Sequence, residues 1–486
     1  MITKKWKIIT YLIVFFISPF LLQCALNPVT KAYDFILISN AQEVSIGANA
    51  DKEVLNTYGQ YSDPKLQEYI NEVGQRVANV SDRRNIEYFF TIVDSPEKNA
   101  FALPGGYIYI TRGILALINN EAQLAGVLGH EIGHVCARHS AKQISQALGY
   151  QIVLLGGSIV FPQLRQWSQI SDIIFGSIQN GFGRQYEFQS DDLGENYAFR
   201  AGYDPAQSAA FLTALKNTEK EGGEQIFHGI FASHPETEDR IKRALAHSSE
   251  LKPASTGELK ILDDKYVSML QGLVYGKGGK EGAIVGDSYK NRSYQFALSL
   301  PLGWDSSIEK GNLISKDPDG ISAIKLEHIP TRGSLTPLQA AEKWEEKNRL
   351  KKFEGSSSVI NTIDTYTGFY DARSPKGESL KLKVLFFIRN RAGFALICDS
   401  PARDFPFVLK DFDRTIYSLR TISEKESAEL RIKHLNIYTV EAGDDLKKIA
   451  EKFLGDKKKA IDLAKLNGLE VDSPLRVGKK LKVPSF

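Results

Sequence analysis

Cysteine is scarce in this sequence, and so is an excess of either charge. The 486 residues include three cysteines, Cys24, Cys136 and Cys398, which cannot form a disulfide framework and do not have the spacing of a zinc ribbon. Lys and Arg number 61 against 58 Asp and Glu, and the resulting net charge of +3 does not indicate a nucleic-acid-binding surface. Any metal site must therefore use other ligands, and nucleic acid is not an expected partner.

Long hydrophobic runs are also rare. The clearest run, 8–22, follows Lys4, Lys5 and Lys7 and is too short to span a bilayer comfortably. A basic start followed by a short apolar run is typical of a secretory signal, so we expect residues 1–24 to be a signal peptide. The composition, with 42% hydrophobic and 24% charged residues, is that of soluble globular domains, and the length predicts about three of them.

Periodicity and composition predict an α+β protein with several parts. Residues 34–250 alternate helical periodicity with short strands and are predicted to form a mostly helical domain with a small sheet. Residues 251–290 are rich in Gly and Lys and are predicted to be a linker. Residues 291–425 are predicted to form an α+β domain of unknown role, without a catalytic constellation. The segment 435–486 has the pattern of a βααβ module.

One predicted helix carries a metal-binding pattern. It begins near Asn120 and contains the sequence H-E-I-G-H, with His130, Glu131 and His134. Positions four residues apart lie about 40° apart around a helix, so both imidazoles can bind one metal while Glu131 lies beside them. Catalytic zinc takes a third protein ligand and leaves one position for water, so a downstream carboxylate is required. The alternative interpretation is a pair of surface histidines without a metal.

The stretch H-E-I-G-H-V-C-A-R-H at 130–139, followed by R-Q-Y-E-F-Q-S-D at 184–191, resembles a known family. It is similar to the gluzincin metallopeptidases that contain the HtpX heat-shock proteases and the CAAX prenyl proteases, and within them to the soluble, periplasmic BepA-like branch. The resemblance implies a zincin-type fold and one zinc ion per chain. It also implies these residue roles: zinc ligands His130, His134 and Glu187, general base Glu131, and supporting acid Asp191.

The resemblance includes a strand that precedes the zinc helix. The segment 99–113 looks like part of the same branch, and its strand residues Tyr107, Ile108 and Tyr109 are expected to lie at the cleft edge. An extended substrate can pair with the backbone of such an edge strand. The alternative is that these residues are simply part of a half-buried sheet.

The sequence around His234 and Arg240 resembles the S-H-P-x-x-x-x-R element of the family. The resemblance implies catalytic roles: His234 approaches the metal, or His234 or Arg240 stabilises the oxyanion of the tetrahedral intermediate. The alternative for His234 is a loop histidine that packs the cleft wall. His139 lies five residues beyond His134 and is expected to face away from the ligand pair.

Both ends of the chain resemble anchoring segments. Leu21-Leu22-Gln23-Cys24 resembles a bacterial lipobox, which implies lipidation of Cys24. If Cys24 is lipidated, the resemblance to enterobacterial sorting signals implies that Ala25 favours the outer membrane over the inner one. The alternatives are an ordinary signal peptide and an uncleaved anchor. At the other end, 437–484 resembles a LysM module, which implies binding to the N-acetylglucosamine-containing glycan of peptidoglycan.

These features together predict an exported zinc endopeptidase of the bacterial envelope. It is expected in the periplasm, anchored to the outer membrane by its N-terminal lipid and to peptidoglycan by its LysM module. Its expected substrates are envelope proteins, in protein quality control or outer-membrane protein assembly. Two alternatives from other classes are a chaperone-like envelope protein that binds without cleavage, and a hydrolase of peptidoglycan stem peptides.

Overall fold

A computed structural model describes the chain at residues 24–154, 170, 173–176, 178, 181–219, 237–251, 258–276, 282–309, 312–329, 335–374, 377–430 and 432–486. The predicted signal peptide before Cys24, and His234, lie outside these ranges. In the described part of the chain, no helix has both the length and the apolar character needed to cross a membrane. The fold is α+β, which confirms the predicted class.

The elements between Cys24 and Met269 form the region that contains the helix with the H-E-I-G-H sequence. They are β1 (Cys24–Leu26), β2 (Tyr33–Phe35), α1 (Asn40–Tyr58), α2 (Pro64–Ala78), β3 (Phe89–Val93), β4 (Ala100–Leu103), β5 (Tyr107–Thr111), α3 (Arg112–Leu117), α4 (Glu121–Cys136), α5 (His139–Leu154), α6 (Arg184–Arg200), α7 (Ala206–Glu219), α8 (Thr237–Glu250) and α9 (Asp263–Met269). The helix α4 begins where the sequence predicts, because the side chain of Asn120 accepts a hydrogen bond from the Gln123 backbone N–H at 2.7 Å. All sixteen residues of α4 are buried, so it is the central helix of this region.

The small sheet has the strand order β3-β5-β4. On one side β5 pairs in parallel with β3, and on the other it pairs antiparallel with β4. The expectation that Tyr107, Ile108 and Tyr109 form an edge strand is therefore wrong, because both rows of backbone groups on β5 are already paired with neighbouring strands. The edge next to β5 is β4, which packs against α4.

The middle of the chain contains two antiparallel sheets. Its elements are β6 (Ala283–Val285), β7 (Ser288–Asn291), β8 (Phe296–Ser299), β9 (Asp305–Glu309), β10 (Asn312–Lys316), β11 (Ala323–Ile329), α10 (Pro337–Asn348), β12 (Lys352–Ile360), β13 (Ile363–Arg373), β14 (Ser379–Arg389), β15 (Ala392–Pro401), α11 (Phe405–Tyr417) and β16 (Arg420–Thr421). The seven-stranded sheet has the order β12-β13-β14-β15-β11-β10-β9, and the four-stranded sheet has the order β16-β8-β7-β6. Trp344 of α10 and Phe412 of α11 are buried in separate clusters against this scaffold.

The segment 251–290, predicted to be a linker, contains packed structure. Tyr266 and Val267 of α9 are buried in the hydrophobic cluster that also contains residues of α4. Both β6 and the start of β7 belong to the four-stranded sheet. The Gly- and Lys-rich composition of segment 251–290 does not predict these elements, because only a few apolar side chains between the turns provide the packing.

The C-terminal elements are α12 (Glu424–Glu429), β17 (His434–Thr439), α13 (Leu446–Leu454), a 3₁₀ turn (Lys457–Lys459), α14 (Ala460–Leu466) and β18 (Lys480–Ser485). The two strands pair antiparallel, with Tyr438 opposite Leu481, and the two helices pack against them. From β17 to β18 this is the βααβ arrangement that the sequence predicts.

Candidate metal centre

Three side chains from two helices converge in the interior. His130 and His134 lie on α4, and Glu187 lies in the first turn of α6. The two histidine Nε2 atoms are 3.0 Å apart, and the Glu187 carboxylate oxygens lie 3.4 Å from His130 Nε2 and 3.5 Å from His134 Nε2. One ligand atom from each residue lies within 4.8 Å of the others, and all three residues are buried. Two imidazole nitrogens and one carboxylate are a donor set of catalytic zinc, so these residues fit the predicted metal.

The absence of side chains on three glycines allows the two ligand-bearing helices to approach closely. A Cβ at Gly129 would lie 2.7 Å from the Gly194 carbonyl oxygen, and a Cβ at Gly194 would lie 2.6 Å from the His130 nitrogen. At Gly133 the added Cβ would lie 3.1 Å from Ser190. Backbone therefore packs on backbone between α4 and α6, and this brings Glu187 to the two histidines.

Asp191 and Arg240 orient the first histidine. His130 Nδ1 and Asp191 Oδ1 are 2.8 Å apart, and Arg240 donates from Nε to Asp191 Oδ2 and from Nη2 to Oδ1, each at 2.7 Å. Burial alone would raise the pKa of Asp191, but the charge and hydrogen bonds of Arg240, together with the hydrogen bond to His130, lower it to about 2. An ionised Asp191 accepts the His130 Nδ1–H and thereby directs the Nε2 lone pair towards the metal position.

Arg240 differs from the expected oxyanion donor. Its side chain is buried, two of its nitrogens donate to Asp191, and Nη1 lies 3.5 Å from the Glu187 carboxylate. These contacts make it a positioning residue for two carboxylates of the site. The predicted role of His234 concerns a residue outside the described ranges.

His139 lies beside the ligands, which the sequence reasoning missed. The backbone of Arg138 has φ +56°, so the helix ends there and α5 begins at His139 in a new direction. His139 Nδ1 is 2.9 Å from His134 Nδ1, and its ring stacks on Tyr186 at 4.2 Å between centroids. The expectation that His139 faces away is wrong. It assumed that α4 continues as one helix through residue 139, whereas the chain changes direction before that residue.

The hydrogen bonds of His139 define which nitrogen of His134 carries the proton. His139 Nε2 is 3.0 Å from the Gln189 amide oxygen, and an amide oxygen only accepts, so His139 donates from Nε2. Burial lowers the pKa of His139 to about 4, which leaves the ring neutral with Nδ1 as an acceptor. His134 then donates from Nδ1, and its Nε2 lone pair is available to a metal.

Glu131 lines a small cavity next to the ligands. The cavity measures about 30 Å³ and is also lined by His130, Val127, Phe211 and Leu212. About 10–15 Å³ is enough to hold one water molecule. The Glu131 carboxyl group thus lines a space beside His130 that is large enough for one water molecule.

Comparison with known proteins agrees with this geometry. Residues 64–248 match the model of peptidase family M48, and residues 438–484 match the LysM domain model. The chain carries a peptidase family M48 domain followed by a LysM domain. Both matches fall within the regions predicted as 34–250 and 435–486. The M48 match contains α4, α6 and all but the last two residues of α8, and therefore every described residue of the metal centre.

Part of the chain is also similar to named peptidases. The beta-barrel assembly-enhancing protease of Escherichia coli (strain K12) is 28% identical over 225 residues, covering 44% of this chain and 46% of the relative. The mitochondrial metalloendopeptidase OMA1 of Schizosaccharomyces pombe is 29% identical over 224 residues, covering 44% of this chain and 64% of the relative. The chain thus spans about half to two thirds of the length of these relatives. Among solved structures, cyanobacterial PsbP from Synechocystis matches with a TM-score of 0.23 at 12% identity, covering 30% of this chain and 98% of that one.

Proposed function

We propose that this chain is an exported zinc-dependent endopeptidase. The observation that carries the proposal is the convergence of His130, His134 and Glu187 beside a cavity lined by Glu131. A zinc ion bound by the three residues would polarise a peptide carbonyl and lower the pKa of a water molecule towards neutrality. Glu131 accepts the proton of the attacking water and passes it to the leaving amine.

Asp191, Arg240 and His139 act through the ligands. Asp191 and His139 each accept the Nδ1–H of one ligand histidine, so both imidazoles keep the orientation and tautomer that metal binding requires. Arg240 keeps Asp191 ionised and lies against Glu187. Because these groups are buried, few alternative arrangements compete with the ligand geometry.

We propose that β4, rather than β5, binds the substrate backbone. β4 lies at the edge of the small sheet, is paired on one side with β5, and packs against α4. All four residues of β4 are buried, so an extended peptide adds to this edge through main-chain hydrogen bonds once a movement of the chain exposes it. Such pairing favours an unfolded or loop segment over a compact one.

The envelope location and the substrates rest on the two domain matches and the chain ends. The Escherichia coli relative is a beta-barrel assembly-enhancing protease by name, so we propose misassembled outer-membrane proteins as substrates. The LysM domain supports attachment to peptidoglycan. Lipidation of Cys24 would attach the chain to the outer membrane, close to such substrates.

The test uses the purified chain without residues 1–24 and measures zinc content and casein cleavage. We expect one zinc per chain, which Glu187→Ala loses. Glu131→Gln should keep the zinc and lose cleavage by about 10²–10⁴-fold, because it removes the general base. Glu68→Gln, the same change at an exposed position on α2, is the matched control. Cleavage by Glu131→Gln at the rate of the control would contradict the proposal.

The LysM domain favours one second candidate, hydrolysis of peptidoglycan stem peptides. Purified sacculi are incubated with the chain and with Glu131→Gln. We expect both proteins to bind the sacculi through LysM without releasing peptides. Release of stem peptides by the unmodified chain alone would replace the protein substrate by peptidoglycan. Zinc binding without cleavage of casein or sacculi would favour the chaperone-like alternative.

A further inference from the structure

The LysM domain packs directly on the M48 domain. Leu435 of β17 exchanges two backbone hydrogen bonds with the segment after α9, one to the Leu273 carbonyl and one from the Gly272 N–H, each 2.8 Å long. Leu435 and Leu466 are buried in the hydrophobic cluster that contains residues of α4. A module attached only by a flexible connection would not share a core with its neighbour.

Lys482 is the centre of this contact. It is fully buried, and its Nζ lies 2.6 Å from the carbonyl oxygen of Ala116, 2.8 Å from that of Ile118 and 3.5 Å from that of Leu117. These carbonyls end α3 and have no acceptor role inside that short helix. The Lys482 amino group donates N–H hydrogen bonds to these carbonyl oxygens, and burial lowers its pKa well below the usual value. Among the described residues, no carboxylate forms an ion pair with Lys482.

The strand that carries Lys482 is fixed within the LysM domain. Asn467 accepts a hydrogen bond from the Lys482 backbone N–H at 2.8 Å and donates to its carbonyl oxygen at 2.9 Å. The next residue, Gly468, is so close to the M48 domain that an added Cβ would lie 3.0 Å from the Asn119 side chain. The contacts that Lys482 and Gly468 make with the M48 domain therefore both lie next to Asn120, where the zinc helix α4 begins.

A second set of hydrogen bonds joins β18 to α9. Lys480 donates from Nζ to Ser268 Oγ at 2.6 Å, and its backbone N–H donates to the Asp264 carboxylate at 3.1 Å. The chain that leads into β17 is also held, because the Tyr275 N–H donates to the Lys433 carbonyl at 2.8 Å. The contact thus extends from the entry of the LysM domain to its last strand.

We propose that the LysM domain and the M48 domain form one rigid unit. Lys482 joins them, because it binds the segment 116–120, which leads into the zinc helix. The LysM domain is then a rigid extension of the peptidase, and a glycan bound to it would hold the zinc cleft in one orientation towards the cell wall. That last consequence rests on the proposed function, whereas the docking itself does not.

The test replaces the amino group of Lys482 by a carboxylate in the full chain. Lys482→Glu places a carboxylate against three carbonyl oxygens, so we expect the two domains to separate. Amide hydrogen exchange at 116–124 should become about tenfold faster or more, and one thermal unfolding transition should become two. Lys447→Glu reverses an exposed charge on α13 and is the matched control.

Two further outcomes keep the test decisive. Should Lys482→Glu fail to fold, Lys480→Glu brings a carboxylate to Asp264 at the partly exposed second contact, and it should accelerate the same exchange to a smaller extent. Exchange in Lys482→Glu equal to that in Lys447→Glu would overturn the proposal, and so would separate unfolding of the LysM domain in the unmodified chain. Neither measurement depends on peptidase activity, so failure of the proposed function would be seen separately.

Discussion

At the scale of single residues, the two ligand histidines are oriented by different partners. His130 is bound to an ionised carboxylate, Asp191, whereas His134 is bound to a neutral imidazole, His139. The carboxylate is itself neutralised by Arg240, and the imidazole depends on the amide of Gln189. The second arrangement has no charge, so it depends on hydrogen-bond direction alone.

We expect Gln189→Leu to weaken zinc binding by about 10–100-fold, the usual range for loss of an outer partner of a metal ligand. Without the amide oxygen, His139 is no longer held as the tautomer that accepts the His134 proton. Gln189→Glu retains an acceptor and should bind zinc nearly as the unmodified chain does. Chelator competition on the metal-free protein measures this, with Gln185→Leu on the exposed side of α6 as control. Equal affinity of the two Leu variants would rule out the relay.

At the scale of secondary-structure elements, the metal centre depends on the close approach of α4 and α6. His130 and His134 share a helix and are near each other by helical geometry alone. Glu187 reaches them only because Gly129 and Gly194 leave no side chain between the helices.

We expect Gly194→Ala to lower the free energy of unfolding by about 1–3 kcal/mol and to reduce zinc stoichiometry, because the added Cβ would lie 2.6 Å from the His130 nitrogen and force the helices apart. Urea unfolding and metal analysis measure the two effects. Gly183→Ala, at a position with no atom within 4 Å of the added Cβ, is the control. A stable Gly194→Ala variant with full zinc content would show that the close approach is not required.

The sequence could predict the elements that local patterns determine, as α4 and the LysM domain illustrate. The N-cap at Asn120 and the ligand pair His130 and His134 involve residues close together in the sequence. The helix alone therefore determines their geometry. The position of His139 could not be predicted, because it depends on a positive φ at Arg138, a conformation that arginine rarely adopts. The role of Gln189 could not be predicted either, because it exists only once α6 packs beside His139.

At the scale of the whole molecule, the zinc ligands join two helices of the M48 domain, and the LysM domain shares its hydrophobic cluster. Metal binding and domain docking therefore stabilise the same part of the chain. A metal that binds the folded state and not the unfolded one adds about 4 kcal/mol when its free concentration is a thousand times its dissociation constant.

We expect removal of zinc by a chelator to lower the thermal unfolding temperature of the unmodified chain. Glu187→Ala lacks a ligand, so its unfolding temperature should not respond to the chelator. Scanning calorimetry with and without chelator measures both shifts. Glu131→Gln serves as the control, because it keeps the three ligands and should respond as the unmodified chain does. An equal response in Glu187→Ala would mean that the stabilising metal is bound elsewhere.

The sequence by itself determined the helix with its two histidines and the βααβ pattern, because both follow from periodicity and capping within short segments. Only the tertiary structure decided the remaining features. Strand order made β4 rather than β5 the edge, helix packing brought Glu187 to the histidines, and burial of Lys482 joined the two domains. Each depends on contacts between residues far apart in sequence, which no local pattern specifies.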